Sequence, residues 1–224
     1  MKLLRIISTL MIFGFLSCSS KTASTNIESV FSKGGNIYCK YKDDNIKQIT
    51  YTGIDTLAVI SPDKKLIAFV RQNPGIYDEN NEILLTDNSE IWLYDLTNNK
   101  NTCIILPVND EAGIEPENIL KNFDNLVFSN DGQKLLFISS AWATSGAIHE
   151  YSITNKIQRF LISGNSLYII PNGKYKDYLI VNKHKYYQAG GSYDYFWLLD
   201  VEGKEIREIG ESEANVQSFL NEYN

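Results

Sequence analysis

The feature that most constrains this chain is a strand-turn-strand unit that occurs twice and, more loosely, a third time. Ile60-Ser61-Pro62-Asp63-Lys64-Lys65-Leu66-Ile67-Ala68-Phe69 is answered by Phe128-Ser129-Asn130-Asp131-Gly132-Gln133-Lys134-Leu135-Leu136-Phe137. The degraded copy is Ile170-Pro171-Asn172-Gly173-Lys174, running into Tyr178-Leu179-Ile180-Val181. A recurring unit decides the architecture before any local reading does. Its turn is legible too: Pro62 pre-sets φ, and the Asp side chain can bond the backbone that follows it.

Short β-rich runs between Gly, Asn, Asp and Pro read as strands, and each copy extends to four of them. The first has Thr56 to Ile60, Lys65 to Arg71, Glu90 to Asp95 and Thr102 to Leu106. The second has Asn125 to Ser129, Lys134 to Ser139, Ala147 to Ile153 and Gln158 to Ile162. The third has Ser166 to Ile170, Tyr178 to Lys183, Tyr195 to Asp200 and Glu205 to Ile209. Residues 27 to 51 read as the last three strands of another unit: Ile27 to Phe31, Asn36 to Tyr41 and Ile46 to Tyr51. Successive four-stranded units are the blades of a β-propeller. The expected fold is therefore all-β: a small β-propeller of about four blades. Three blades are complete, and one is assembled from the N-terminal segment and a closing strand from the C-terminus. Ala214 to Leu220 is the candidate for that strand, because closure removes an exposed edge. The same segment also places Val216, Phe219, Leu220 and Tyr223 at helical spacing behind Ser212 as an N-cap. Gly113 to Pro116, followed by Glu117 to Asn122, predicts a short helix between blades.

The repeats resemble those of TolB-type propellers, in which Ser-Pro-Asp-Gly-Lys precedes an apolar strand and a third strand ending in Asp leads to a Lys-containing turn. Residues 61 to 69 with 90 to 100 match well, 129 to 137 with 147 to 157 match moderately, and the third copy keeps Asn172-Gly173-Lys174. The resemblance covers most of residues 36 to 210. It implies the fold; its motifs specify a turn and a strand and carry no chemistry.

The N-terminus reads as a separate device. Lys2 and Arg5 precede an apolar run from Ile6 to Leu16. That run is too short for a bilayer, which takes roughly 20 apolar residues, and residues 1 to 17 have the layout of a secretory signal. Ser17-Cys18, followed by Ser19, Ser20, Lys21, Thr22, Ala23 and Ser24, resembles a bacterial lipoprotein signal. The resemblance implies that Cys18 is the lipid attachment site (a palmitate-type acylation) and that the mature chain is anchored in the cell envelope, at the outer membrane or the periplasmic face. An ordinary secretory signal with an incidental Cys is the alternative. Residues 18 to 26 are too hydrophilic to fold and read as a tether. Residues 27 to 224 form the propeller domain, enough to bury one core. The formal net charge of −6 and the lack of a basic run argue against nucleic acid as a partner. Membrane contact is expected through the N-terminal lipid. Cys39 and Cys103 lie in strand-like runs and are expected to be free thiols, although an exported compartment permits a disulfide.

In this strand order the connections between second and third strands emerge on one face, and here they are the irregular ones. Gln72 to Ser89 holds Tyr77, the second connection holds Trp142, and His184 to Asp194 holds Tyr186, Tyr187 and Tyr193. Loops on a rigid scaffold concentrate binding residues, and Tyr and Trp suit interfaces because one end is apolar and the other bonds. These five aromatics are the candidate partner-binding residues; the alternative is that they fold back as local core. Asp78, Asn80 and Glu82 alternate like a calcium loop but lack the Gly and distal Glu such a loop needs, and read as a solvated acidic hairpin. His149 and His184 have no two-His metal spacing, and Ser192 after Gly190-Gly191 lacks the strand-to-helix setting of a hydrolase elbow. No catalytic constellation, metal site or cofactor is expected. The function expected is a non-catalytic protein-binding or scaffolding module of the envelope, with an envelope protein or glycan as partner. A carbohydrate-binding accessory or enzyme of the cell envelope, and an inhibitor or immunity-type lipoprotein, are the alternatives.

Overall fold

The computed structural model describes residues 26–74, 76–77, 83–85, 88–109 and 112–223, with the backbone alone for 76, 77, 83–85 and 88. The expected signal, the tether through residue 25, Cys18 and the acidic run 78–82 lie outside the described residues.

The strands gather into successive antiparallel sheets. The first is β1 (Ile27–Lys33), β2 (Asn36–Tyr41) and β3 (Ile46–Gln48). The second is β4 (Asp55–Ile60), β5 (Leu66–Asn73), β8 (Asn88–Asp95) and β9 (Lys100–Ile105), with the small hairpin β6 (Ile76–Tyr77) and β7 (Ile83–Leu85) in its long connection. The third is β10 (Asp124–Phe128), β11 (Lys134–Ser140), β12 (Gly146–Ser152) and β13 (Gln158–Ser163). The fourth is β14 (Ser166–Ile169), β15 (Leu179–Tyr186), β16 (Ser192–Leu199) and β17 (Glu205–Gly210), followed by α1 (Glu213–Tyr223). The architecture is the all-β propeller arrangement expected from the repeats.

Near-continuous apolar runs in the central strands, whose successive side chains point to opposite faces, make both faces of a sheet apolar, and successive sheets stack to cover them. Ile37, Cys39 and Ile49 of the first sheet meet Ile67, Phe69 and Tyr94 of the second. Ala68, Val70 and Ile91 on its opposite face meet Phe128, Leu135 and Phe137 of the third. Leu136, Ile138 and Ile148 then meet Leu167, Leu179 and Val181 of the fourth. The outer face of the fourth sheet, with Ile170, Ile180 and Leu198, is covered by Val216, Phe219 and Leu220 of α1. Cys39 and Cys103 are free thiols.

Two expectations about the ends are corrected. The C-terminal segment is the helix α1, not a closing strand: its apolar residues at a spacing of three and four make one covering stripe. Its start is capped reciprocally, with the Ser212 hydroxyl and backbone N–H donating to Asn215 Oδ1 and the Asn215 N–H donating to Ser212 Oγ. The N-terminal strands are not the last three of their sheet. β1 lies beside β4, β4 beside β10 and β10 beside β14, so β1 is itself an inner strand and the vacant fourth place is at the outer edge. The helix expected over residues 117 to 122 is only a 3₁₀ turn, Pro116–Asn118, because Ile119 is already extended and Leu120 bridges to Val108.

The repeated turn has the same wiring in both good copies. Ser61 Oγ donates to Asp63 Oδ1 (2.7 Å) and accepts from the Leu66 N–H (2.9 Å). Ser129 Oγ donates to Asp131 Oδ1 (2.6 Å) and accepts from the Lys134 N–H (2.9 Å). In the third copy, which lacks that Ser and Asp, Tyr175 instead stacks on Phe219 of α1 (ring centroids 5.6 Å apart), and the Lys174 N–H donates to the Tyr223 carbonyl. The repeat is degraded where it receives the helix.

The third sheet also buries a polar clamp. His149 is fully buried between Phe137 and Phe160. Gln158 Nε2 lies 2.7 Å from its Nδ1, and Ser139 Oγ lies 2.9 Å from its Nε2. Ser139 donates its proton to the Ile119 carbonyl (2.8 Å), so Nε2 carries the imidazole proton and Nδ1 accepts from Gln158. The clamp ties the connection between second and third sheets to the core. Burial pushes the His149 pKa down to about 4.

Two outcomes are expected. Phe219→Ala should lower unfolding stability by about 3–5 kcal/mol, the usual cost of emptying a buried aromatic site, measurable by denaturant titration. His149 is neutral in both states above pH 6.5, but below that the unfolded chain takes a proton that the folded one refuses until about pH 4. Stability should therefore fall by up to ~1.4 kcal/mol per pH unit from 6.5 towards 4.5, and His149→Gln should flatten that slope. An unchanged slope in the variant would remove His149 as its cause.

Candidate functional site

The aromatic candidates on the third and fourth sheets do come together at one end of the strands. The connection of residues 141–145 between β11 and β12 is closed by the Trp142 N–H donating to the Ser145 carbonyl (2.9 Å). Asn165, in the link between the two sheets, holds it from outside: it accepts from the Gly146 N–H (3.0 Å) and donates to the Thr144 carbonyl (2.9 Å). Thr144 Oγ1 then lies 3.2 Å from the Tyr186 hydroxyl, which joins the loop to the fourth sheet. Trp142 rests edge-on against Phe160 with centroids 6.1 Å apart and stays 38% exposed.

On the fourth sheet the expected loop His184 to Asp194 is shorter than the sequence implied. The register runs on through Lys185↔Tyr193 to Tyr186↔Ser192, so His184, Tyr186 and Tyr193 are strand residues. The turn itself is residues 187–191, with the Tyr187 N–H donating to the Gly191 carbonyl (3.0 Å) and both Gly190 and Gly191 at positive φ, which suits glycine. Extension of the strands brings His184 opposite Asp194, with Nδ1 2.9 Å from Oδ1, and sets the His184 ring edge-on to Tyr186 at 5.0 Å. Tyr187 packs on Tyr193 (4.5 Å) and Tyr193 on Tyr195 (5.2 Å). Tyr186 and Tyr187 remain 68% and 55% exposed. They are neither core nor buried by neighbours.

A cleft of about 370 Å³ lies beside this surface, lined by Asp124, Ser140, Trp142, Ala143, Thr144 and Ser145 among others. The surface thus offers aromatic faces and hydroxyls, with the His184–Asp194 pair at its flank. Tyr77 is placed in β6, and its side chain lies outside the described residues. Thr144, Asn165 and the His184–Asp194 pair were not singled out from sequence as parts of a site. Asn165 reads locally as an ordinary turn residue, and the His184–Asp194 contact depends on cross-strand register. Ser139 and His149 have the composition of a nucleophile and base, but both are sealed from solvent and the Ser proton goes to a backbone carbonyl. Among the described residues no group of three or more His, Cys, Asp or Glu is placed to hold a metal ion.

No family model and no curated protein matches the chain. Solved structures do. The chain is similar to dipeptidyl peptidase 4 from Porphyromonas gingivalis, with a TM-score of 0.53 at 15% identity over 82% of this chain and 31% of that one. It is similar to the β-propeller domain of the Trilobed protease from Pyrococcus furiosus, with a TM-score of 0.51 at 18% identity over 83% of this chain and 57% of that one. A protein assigned as TolB from Agrobacterium tumefaciens gives 0.50 at 16% identity over 82% and 57%. The chain spans only about a third to a little over half the length of these structures. At such identities the likeness is one of fold, and the fold is a TolB-like β-propeller.

Proposed function

We propose that this chain is a lipid-anchored protein of the cell envelope whose propeller domain binds a partner protein through the aromatic surface of the third and fourth sheets, without chemistry of its own. The observation that carries the reading is the gathering of Trp142, Tyr186 and Tyr187 at exposed positions from two different sheets. Large aromatic side chains left exposed together on a rigid scaffold are the usual anchors of a protein interface. Their backbone is held by paired strands, a tight turn and the Asn165 bridge, so little ordering is needed on binding. Likeness to propellers of TolB type and of peptidases supports a display scaffold of this kind. The lipid on Cys18 would place the domain at a membrane surface, which raises the encounter rate with envelope partners.

A glycan is the second reading. The cleft beside Trp142 is lined by hydroxyl and carboxyl groups without a Lys or Arg, which suits a neutral polyhydroxylated ligand.

Replacing Trp142, Tyr186 and Tyr187 together by Ala should leave the unfolding midpoint nearly unchanged, since exposed substitutions shift stability by about 0.5 kcal/mol or less each. Photo-crosslinking to envelope proteins from a probe at position 143, exposed beside Trp142, should then be lost, as removal of interface anchors costs about 2 kcal/mol or more. Retention of the crosslinks would reject the surface; their replacement by tryptophan quenching with envelope glycans would favour the second reading. For the anchor, Cys18→Ala should abolish incorporation of labelled fatty acid and release the protein from the membrane fraction; an unlabelled wild-type chain would reject lipidation.

A further inference from the structure

The seam between third and fourth sheets departs from the one before it. Alignment of the repeats through Ile60↔Ile67 and Phe128↔Leu135 makes Lys134 the counterpart of Leu66. In the same way Glu150, opposite Leu136, is the counterpart of Leu93, opposite Ala68. Leu66 and Leu93 fill the seam between second and third sheets. The corresponding seam between third and fourth sheets instead holds a Lys134–Glu150 ion pair (3.0 Å) and a cavity of about 250 Å³.

Glu150 is only 7% exposed, and burying a charge there costs more than burying leucine unless it is compensated. It is compensated twice, by Lys134 and by Arg159 Nε (2.7 Å), and Arg159 reaches on to Glu202 across the seam (2.7 Å). Burial would raise the Glu150 pKa, but the bonds from Arg159 and Lys134 outweigh it and hold the carboxyl ionised. The other rim is bridged by Asn130 Nδ2, which donates to Asp177 Oδ1 (2.7 Å) and to the Ile170 carbonyl (2.8 Å). The cavity is thus bounded by two polar bridges rather than being a packing fault.

Its lining has a definite chemistry. The floor is apolar: Leu136, Ile169, Leu179 and Val201. The polar wall holds Asp131 and Asp177 in addition to the internally matched Lys134 and Glu150. Asp131 spends Oδ1 on its turn, accepting from Ser129 and the Gln133 N–H, and Asp177 spends Oδ1 on Asn130. Both carboxylates are exposed at the mouth of the cavity, where Lys134 also acts on Asp131, and they stand beside the apolar floor. A hydrophobic amine satisfies both, whereas an anion or a neutral polar molecule satisfies neither.

We propose that this cavity, at the opposite end of β11 from the aromatic surface, is a binding site for a primary ammonium group on a short apolar stem. The stem lies on Leu136, Ile169, Leu179 and Val201, and the ammonium donates to Asp131 and Asp177. A free alkylamine and a lysine side chain both present this chemistry.

The test is titration of the full chain with butylammonium, followed by amide chemical shifts in NMR, with butyrate and 1-butanol as matched controls. Butylammonium should bind saturably, with a dissociation constant on the order of 1 mM for so small a ligand, and shift the amides of residues 131, 177 and 201. The two controls should not. Lys134→Leu with Glu150→Leu restores the leucine pair of the preceding seam; it should retain the fold and abolish binding. Asp177→Asn keeps an acceptor for Asn130 and should weaken binding about tenfold, the loss of one charge-assisted bond. Nα-acetyl-lysine amide binding more tightly than butylammonium assigns the group to a lysine of a polypeptide, and weaker binding assigns it to a free amine. Equal binding of butyrate or butanol, shifts mapping elsewhere, no saturation, or undiminished binding by either variant would overturn the proposal.

Discussion

The second, third and fourth sheets of this domain are apolar on two faces, and that is the constraint on which the rest depends. Along β5, Ile67 and Phe69 point to the first sheet while Ala68 and Val70 point to the third, and all four are fully buried. A sheet of this kind is covered only by its neighbours, so stability is shared along the stack and the ends become the problem. At one end α1 takes the place that another blade would occupy. At the other, the first sheet presents a face with the stacked Phe31–Tyr38 pair and the Lys40–Glu28 ion pair. That face needs less cover because half of it is polar.

Where the repeat is faithful, it serves register: Ser61 and Asp63, like Ser129 and Asp131, close the turn and set the strand that follows. Where it departs, the tertiary surroundings differ. The third copy exchanges its Ser and Asp for the Tyr175 insertion that grips α1. The second copy exchanges two seam leucines for Lys134 and Glu150 and thereby opens a charged cavity. A second device recurs with the repeat, at Leu57 (φ 51°) in β4 and at its counterpart in β10, but only the second copy turns it into a contact between sheets. The left-handed residue Asn125 (φ 49°) interrupts β10, and its side chain pairs with the Leu167 N–H and carbonyl, standing in for a strand contact between neighbouring inner strands.

The two histidines show why residue type alone does not decide the surroundings of a side chain. Both histidines are single, both lie in strands, and both have a hydrogen-bonding partner. His149 faces a core of Phe137 and Phe160 and becomes a neutral clamp. His184 lies near the end of its strand beside the exposed Tyr186 and pairs with Asp194. The difference is which face of which sheet the residue occupies, and how far the neighbouring sheet extends over it.

Much of the fold was legible in the chain itself. The strand runs, the repeated turn and the grouping of strands into successive sheets all follow from apolar patterning and turn chemistry, which are local. The details that failed were those decided at a distance. Residues 214–220 satisfy strand and helix patterns alike, and only the uncovered face of the fourth sheet selects the helix. The place of β1 as an inner strand depends on its contact with β4, which no local pattern encodes. Register, likewise, brings His184 to Asp194, and the packing of the third sheet on the fourth puts Lys134 and Glu150 around one cavity with Leu179 and Val201. Local patterning set the blades; the stacking of one element on the next decided that residues 213–223 form a helix, which aromatics remain exposed and where a cavity opens. The physical reason is that alternation specifies which side chains need cover, while only the neighbouring sheet or helix determines whether that cover arrives.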